Sequence, residues 1–125
     1  MKIAISSFGP NLTSQLCPRL GGCSYFLVID PEDMNLEVFE NKHEAANGSA
    51  GSRAAQFLIS QKVQAVITGR CRPNTFKILS DAGVYLFFKQ SGTVKEVLEK
   101  YRNGHLSRAT RADLSSRARS ERSIK

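Results

Sequence analysis

The sequence lacks a long hydrophobic run. It contains only three cysteines and two histidines. No apolar stretch approaches the ~20 residues that a membrane-spanning helix requires. Residues 1–7 also lack the long apolar centre and the cleavage site of a signal peptide. Three cysteines are an odd number, which argues against the disulfide framework of a small secreted domain. We therefore expect a cytoplasmic protein with reduced thiols and no membrane contact.

Positive charge is in excess and is unevenly distributed. The 125 residues carry a net charge of +7. Residues 1–104 hold twelve Lys and Arg against nine acids, whereas residues 105–125 hold six against two and contain no aromatic residue. Such a stretch buries too little apolar surface to offset the entropy lost on ordering. The sequence predicts one domain, residues 1–106, followed by a basic disordered tail, residues 107–125.

The spacing of apolar residues predicts the element order β-loop-β-β-α-β-α-β-α. Predicted strands cover residues 2–6, 25–29, 36–40, 63–67 and 84–88, and predicted helices cover 52–59, 74–82 and 93–101. Thr93 and Glu96 have the spacing of a capping box at the start of the last helix. The early strands suit an antiparallel hairpin, and the later ones alternate with helices. We therefore expect an α/β fold with a mixed five-stranded sheet between helical layers.

The junction at residues 68–76 is the clearest indication of a site. It reads Thr-Gly-Arg-Cys-Arg-Pro-Asn-Thr-Phe and connects a predicted strand to a predicted helix. Ligands of open α/β sheets bind beyond the carboxyl ends of such strands, where N–H groups of the helix start face outward. Arg70 and Arg72 flank Cys71, and we expect both cations to favour its thiolate. Together with Arg19 they form a predicted basic rim, or alternatively ordinary surface charge.

The three cysteines are candidate metal ligands, because thiolates bind iron–sulfur clusters and zinc. Cys17 and Cys23 do not have CxxC spacing, so their convergence with Cys71 requires two loops to meet at one end of the sheet. His43 is the natural fourth ligand. The alternative is three separate reduced thiols, since a reduced cysteine often behaves as a small hydrophobic residue.

A glycine-rich segment precedes the first predicted helix and reads Asn-Gly-Ser-Ala-Gly-Ser-Arg over residues 47–53. Gly48 and Gly51 allow close backbone approach, and the helix start that follows offers N–H groups to an anion. Arg53 adds positive charge. The segment is not a P-loop, because no Gly-Lys-Ser or Gly-Lys-Thr follows. A flexible loop with an ordinary serine cap is the alternative.

Residues 1–6, 21–30, 48–56 and 66–76 resemble, in order and spacing, the dinitrogenase iron–molybdenum cofactor biosynthesis family, which includes NifX-like proteins and the C-terminal part of NifB. Residues 93–106 resemble its closing helix. The resemblance implies a ribonuclease-H-like three-layer α/β/α fold. It also implies non-catalytic binding or carriage of an iron–sulfur or iron–molybdenum cluster or precursor, with a metallocluster donor or acceptor protein as partner. The cofactor-binding residues would be Gly48, Gly51, Arg53, Arg70, Arg72 and Asn74, and the metal ligands Cys23, Cys71, Cys17 and His43.

Other functions fit the sequence less well. A nuclease of this fold requires an acidic residue on its first strand for two-metal catalysis, and residues 2–7 contain none. The basic tail suits weak nonspecific nucleic-acid binding, although no aromatic residues interleave to stack on bases. The chain departs from the family pattern at residues 19–22 and at Arg72 and Thr75. A protein–protein adaptor with an altered site is therefore a further alternative.

Overall fold

The computed structural model of the protein describes residues 2–42 and 50–106. Its elements are β1 (Ile3–Ser7), β2 (Tyr25–Asp30), β3 (Asn35–Glu40), α1 (Ala50–Ser60), β4 (Ala65–Ile67), α2 (Pro73–Asp81), β5 (Tyr85–Phe87) and α3 (Val94–Arg102). The predicted order and type of every element are confirmed, and no boundary moves by more than two residues.

The five strands form one mixed sheet in the order β3-β2-β1-β4-β5. β1 pairs antiparallel with β2 and parallel with β4. β2 and β3 form the expected antiparallel hairpin, and β4 and β5 are parallel. All five residues of β1 are buried, as befits the central strand. The hairpin of β2 and β3 needs only a turn, whereas the parallel pair β4 and β5 is connected by a helix.

Alternating side chains of the sheet form two cores, one on each face. The first core packs Ala4, Phe26 and Val66 against α1 and α2, which contribute Leu58 and Leu79. The second core packs sheet residues against α3, and its members include Ile3, Ile5, Leu27, Ile67, Val94, Val97 and Leu98. The three-layer α/β/α arrangement is therefore confirmed. No helix within the described residues is long and apolar enough to cross a membrane.

The start of α3 holds the long loop that follows β1. Thr93 and Glu96 form the predicted capping box, with Glu96 N–H donating to Thr93 Oγ1 at 3.1 Å and Thr93 N–H donating to Glu96 Oε1 at 2.7 Å. The N–H groups of Val94 and Lys95 donate to the Ser14 and Leu12 carbonyls at 2.9 and 2.8 Å. Backbone N–H groups of the first helical turn, which have no partner within the helix, thus hold the loop after β1 in place.

Candidate functional site

Two loops meet beyond the carboxyl ends of β1 and β4, which convergence of the three cysteines would require. These strands are parallel neighbours, so the loops after Ser7 and after Ile67 leave the sheet at the same end. Arg19 and Arg70 pair in an isolated parallel bridge. The Arg70 N–H donates to the Pro18 carbonyl. We call residues 17–23, 50–53 and 69–75 the loop site.

Buried hydroxyl groups connect the strand ends to the loop site. The Ser6 hydroxyl donates to the Cys17 carbonyl at 2.7 Å and lies 2.8 Å from Thr68 Oγ1. The Cys17 N–H donates a hydrogen bond to the Ser6 carbonyl at 2.9 Å. Both hydroxyl residues are fully buried. Because Ser6 has one hydroxyl proton and donates it to Cys17, Thr68 is the donor in the bond between the two hydroxyls.

Glycines bring the parts of the loop site into backbone contact. A Cβ on Gly69 would lie 2.6 Å from Pro18 Cα, and a Cβ on Gly21 would lie 2.4 Å from the Gly51 backbone nitrogen. A Cβ on Gly51 would lie 2.8 Å from Thr75 Oγ1. The first turns of α1 and α2 therefore meet beside residues 18–21. A side chain at Gly51 would therefore require Thr75 to move.

The arginines of the loop site point outward. Arg19, Arg53, Arg70 and Arg72 are all exposed. No side chain among the described residues forms a hydrogen bond or ion pair with the guanidinium groups of Arg19, Arg70 or Arg72. The Arg19 guanidinium lies against Gly22, with Nε 3.2 Å from the position of a Cβ there. The predicted basic rim thus has three cations available to an anion.

Polar side chains support the same region. Asn74 is exposed, and its Nδ2 donates to Ser52 Oγ at 3.4 Å, which connects the first turn of α2 to that of α1. Asn41 is buried, and its Nδ2 donates to the carbonyls of Gly21 at 3.0 Å and Cys23 at 2.8 Å. The α2 start has no side-chain cap, because its N-cap position is Arg72.

Cys17 and Cys23 belong to the first core. Their exposed fractions are 3% and 0%. The Cys23 thiol donates to the Leu20 carbonyl at 3.2 Å, and the Cys17 thiol to the Arg19 carbonyl at 3.6 Å. Burial, followed by the proximity of Cys17, raises the pKa of the Cys23 thiol to about 12. The Cys23 sulfur therefore lies beneath the loop site as a protonated thiol, and the Cys17 sulfur is buried in the same core.

The prediction that Arg70 and Arg72 favour a Cys71 thiolate is wrong. Cys71 is half-buried and packs against the first core. Burial raises the pKa of its thiol to about 12. The arginines are exposed, so water screens their charge, while the sulfur between them turns inward to an apolar environment. All three cysteines, which lie in the described part of the chain, are reduced.

No group of three His, Cys, Asp or Glu side chains within residues 2–42 and 50–106 could hold a metal ion. His43 and Gly48, two of the predicted site residues, lie outside the described residues. The ligand set of Cys17, Cys23, Cys71 and His43 therefore stays a prediction. What the structure does bring together is the loops that carry these cysteines.

Sequence reasoning assigned no role to three buried polar side chains that support the loop site: Ser6, Thr68 and Asn41. A signal for the first two is present, since each is a hydroxyl residue that directly follows an apolar strand run. A polar side chain at the end of a central strand is buried and needs a partner. Asn41 has no comparable signal, because it directly follows an exposed edge strand.

Comparison with known proteins identifies relatives over nearly the whole domain. A family model described as dinitrogenase iron-molybdenum cofactor matches residues 1–104. The apo form of the orange protein from Desulfovibrio gigas is 29% identical, with a TM-score of 0.84 over 87% of this chain and 92% of that one. A candidate NifB protein from Thermotoga is 34% identical, with a TM-score of 0.74 over 86% and 91%. An uncharacterized protein of Methanocaldococcus jannaschii is 22% identical over 86% of this chain and 91% of its own length.

Proposed function

Because the chain belongs to the dinitrogenase iron–molybdenum cofactor family, we propose that it binds and carries an anionic iron–sulfur or iron–molybdenum cluster, or its precursor, in the loop site. The role is non-catalytic, and the cluster is cargo that passes between a donor and an acceptor protein. The observation that carries this proposal is the pairing of Arg19 with Arg70 at the centre of the site.

The charge of the site supports an anionic cargo. Arg19, Arg70 and Arg72 are exposed and have no acidic partner among the described residues. Guanidinium groups donate several hydrogen bonds in a fixed planar geometry, and charge-assisted bonds are about twice as strong as neutral ones. The sulfides and thiolates of protein-bound metal–sulfur clusters commonly give them net negative charge. Three cations with no internal partner are a suitable cradle for such a cargo.

The three cysteines contribute less to the proposed binding than the arginines do. Cys17 and Cys23 are almost completely buried, so ligation by either sulfur requires the loops to open. Cys71 is half-buried and is the thiol of the three that reaches the surface. Ligation would release its proton, so the raised pKa makes a bond from Cys71 unfavourable at neutral pH unless the cluster itself offsets the cost. We therefore assign the binding chiefly to charge, with Cys71 as the first candidate ligand.

The experiment is anaerobic reconstitution of the full chain with iron, molybdate and sulfide, followed by metal and acid-labile sulfide analysis. The matched variants are Arg19→Gln, Arg70→Gln and Cys71→Ser. Arg102→Gln is the control, since Arg102 is an exposed arginine of α3 that pairs with Glu99 at 3.7 Å. We expect each site arginine variant to weaken retention roughly tenfold, as for loss of one charge-assisted bond. Arg102→Gln should retain the cluster.

Two outcomes contradict the proposal. If metal and sulfide bind equally well to wild type and to the Arg19 and Arg70 variants, the arginine charges are not the cause of binding. Wild type that takes up neither metal nor sulfide would favour the adaptor alternative, in which the fold serves a protein partner. The nucleic-acid alternative receives no support from the family match, and the tail on which it depends lies outside the described residues.

A further inference from the structure

A cleft on the α3 side of the sheet extends from Phe87, at the carboxyl end of β5, to the turn that follows β2. It has a volume of about 480 Å³. Its apolar walls come from Pro31, Phe87, Tyr101 and Leu106, and its charged walls from Glu32 and Arg102. We call it the α3 cleft. β2 is antiparallel to β1, so the turn that follows β2 emerges at the Ile3 end of the sheet, opposite the loop site. A cleft of this size can take side chains of another segment.

One wall of the α3 cleft is acidic. Asp30 ends β2, and Glu32 and Asp33 follow it in the turn to β3; of the three, Glu32 lines the cleft. The carboxylates of Asp30 and Asp33 accept bonds from the backbone N–H groups of Glu32 and Asn35 at 3.0 and 2.8 Å. The Glu32 carboxylate is exposed and has no hydrogen bond or ion pair with the described residues. The cation on the facing wall, Arg102, already pairs with Glu99.

The chain itself supplies a segment of opposite charge next to this cleft. Leu106 lines the α3 cleft, and the residues that follow it, 107–125, contain six cations and two acids. A tethered segment has an effective concentration near its docking surface that reaches millimolar values for short connections. The loop site has the same sign of charge as this segment, so simple electrostatics directs residues 107–125 away from the arginines and toward the acidic turn.

We propose that the α3 cleft binds residues 107–125 of the same chain. The attraction is between the net positive charge of this segment and the exposed carboxylate of Glu32. The chain connection permits this, because Leu106 lines the cleft and the segment follows it directly. The interaction does not depend on cluster binding, since Glu32 lies at the end of the sheet opposite the loop site.

The test is a comparison of amide resonances in ¹⁵N-labelled full chains. In one variant Arg108, Arg111, Arg117 and Arg119 are replaced by Gln, which keeps the length of the segment. We expect the amides of Glu32, Tyr101 and Gly104 to shift, while amides of the loop site stay unchanged. Glu32→Lys should produce the same shifts in the cleft. Asp81→Lys is the matched control, because Asp81 is an exposed acid on α2, on the other face of the sheet.

Trypsin cleavage after Arg108 and Arg111 provides a second readout. We expect Glu32→Lys to accelerate it about twofold to fivefold, as for loss of one exposed charge pair, and Asp81→Lys to leave it unchanged. Cleft amides that are identical in wild type and in the tail variant would overturn the proposal. Shifts that depend on protein concentration, together with a dimeric mass, would also overturn it and assign the cleft to a second copy of the chain.

Discussion

Arg19 and Arg70 lie side by side on two paired loops, and neither has an acidic partner within the described residues. Like charges at directly paired positions destabilise a sheet. A folded chain that keeps such a pair at its surface gives up stability there. A bound anion would replace this repulsion with attraction. The two arginines therefore favour ligand binding while they lower the stability of the ligand-free protein.

The conflict predicts that Arg19→Gln or Arg70→Gln stabilises the cluster-free protein. We expect the free energy of unfolding to rise by roughly 0.2–1 kcal/mol at low salt. The gain should disappear at about 1 M salt, where the Debye length is ~3 Å. Urea denaturation measures both values. Arg102→Gln is the control and should lower stability slightly, because it removes the pair with Glu99. A loss of stability in both site variants at low salt would contradict the prediction.

The buried Ser6 hydroxyl predicts an unequal effect of two substitutions. Ser6→Ala leaves the Cys17 carbonyl and the Thr68 hydroxyl without their partner, whereas Thr68→Val removes one donor and leaves the bond from Ser6 to Cys17 intact. Unsatisfied buried polar groups cost about 1–3 kcal/mol each. We therefore expect Ser6→Ala to lower the free energy of unfolding more than Thr68→Val does.

A double-mutant cycle tests the same pair. Because Thr68→Val removes the hydroxyl that Ser6→Ala would leave without a partner, the double variant should lose less stability than the sum of the single variants. The control is Ser60→Ala, since the Ser60 hydroxyl bonds the Phe57 carbonyl at an exposed position and its loss should cost no more than ~0.5 kcal/mol. Strict additivity would show that the two hydroxyls do not interact.

The fold could be predicted from the sequence because apolar spacing reports burial directly. The apolar run of β2 and the alternation in β3 match an inner and an edge strand, and Thr93 with Glu96 marks the start of α3. The positions of the site loops followed from the strand order. Side-chain directions within those loops did not, because irregular backbone has no period. Cys71 shows this: its sequence neighbours are arginines, but its spatial neighbours are apolar.

Adjacent glycines of the loop site should tolerate alanine very differently. A Cβ on Gly21 would lie 2.4 Å from the Gly51 nitrogen and 2.7 Å from the Ala50 carbonyl carbon, both of which are backbone atoms. We expect Gly21→Ala to separate α1 from the loop, at a cost of roughly 1–3 kcal/mol in unfolding free energy. Urea denaturation measures this cost, and cluster retention should fall as well.

Gly22→Ala is the matched control for Gly21→Ala. The atoms nearest to a Cβ on Gly22 belong to the flexible Arg19 side chain, and the closest lies at 3.2 Å. This side chain can move, so we expect a change of no more than ~0.5 kcal/mol. Equal losses for both variants would mean that the contact between Gly21 and Gly51 does not hold the loop site together.

Burial of the Cys71 thiol predicts a loss of stability at high pH. The pKa of this thiol is about 12 in the folded chain, above its ordinary value of 9.0. A folded pKa above the unfolded one means that folding favours the protonated thiol. Its contribution is therefore fully present below pH 9.0 and is lost as the pH rises from 9.0 toward 12, with a slope of at most about 1.4 kcal/mol per pH unit.

Cys71→Ser isolates this contribution, because the serine hydroxyl does not titrate in that range and every other group is the same in both proteins. We expect the difference in unfolding free energy between wild type and Cys71→Ser to be constant below pH 9.0. Above 9.0 the difference should shift steadily in favour of the variant, as urea denaturation at a series of pH values would measure. A difference that stays constant to pH 10 and beyond would mean that the Cys71 sulfur is solvated. In that case Cys71 would ionise readily, and a bond from its thiolate to the cluster would be favoured over binding by the arginines alone.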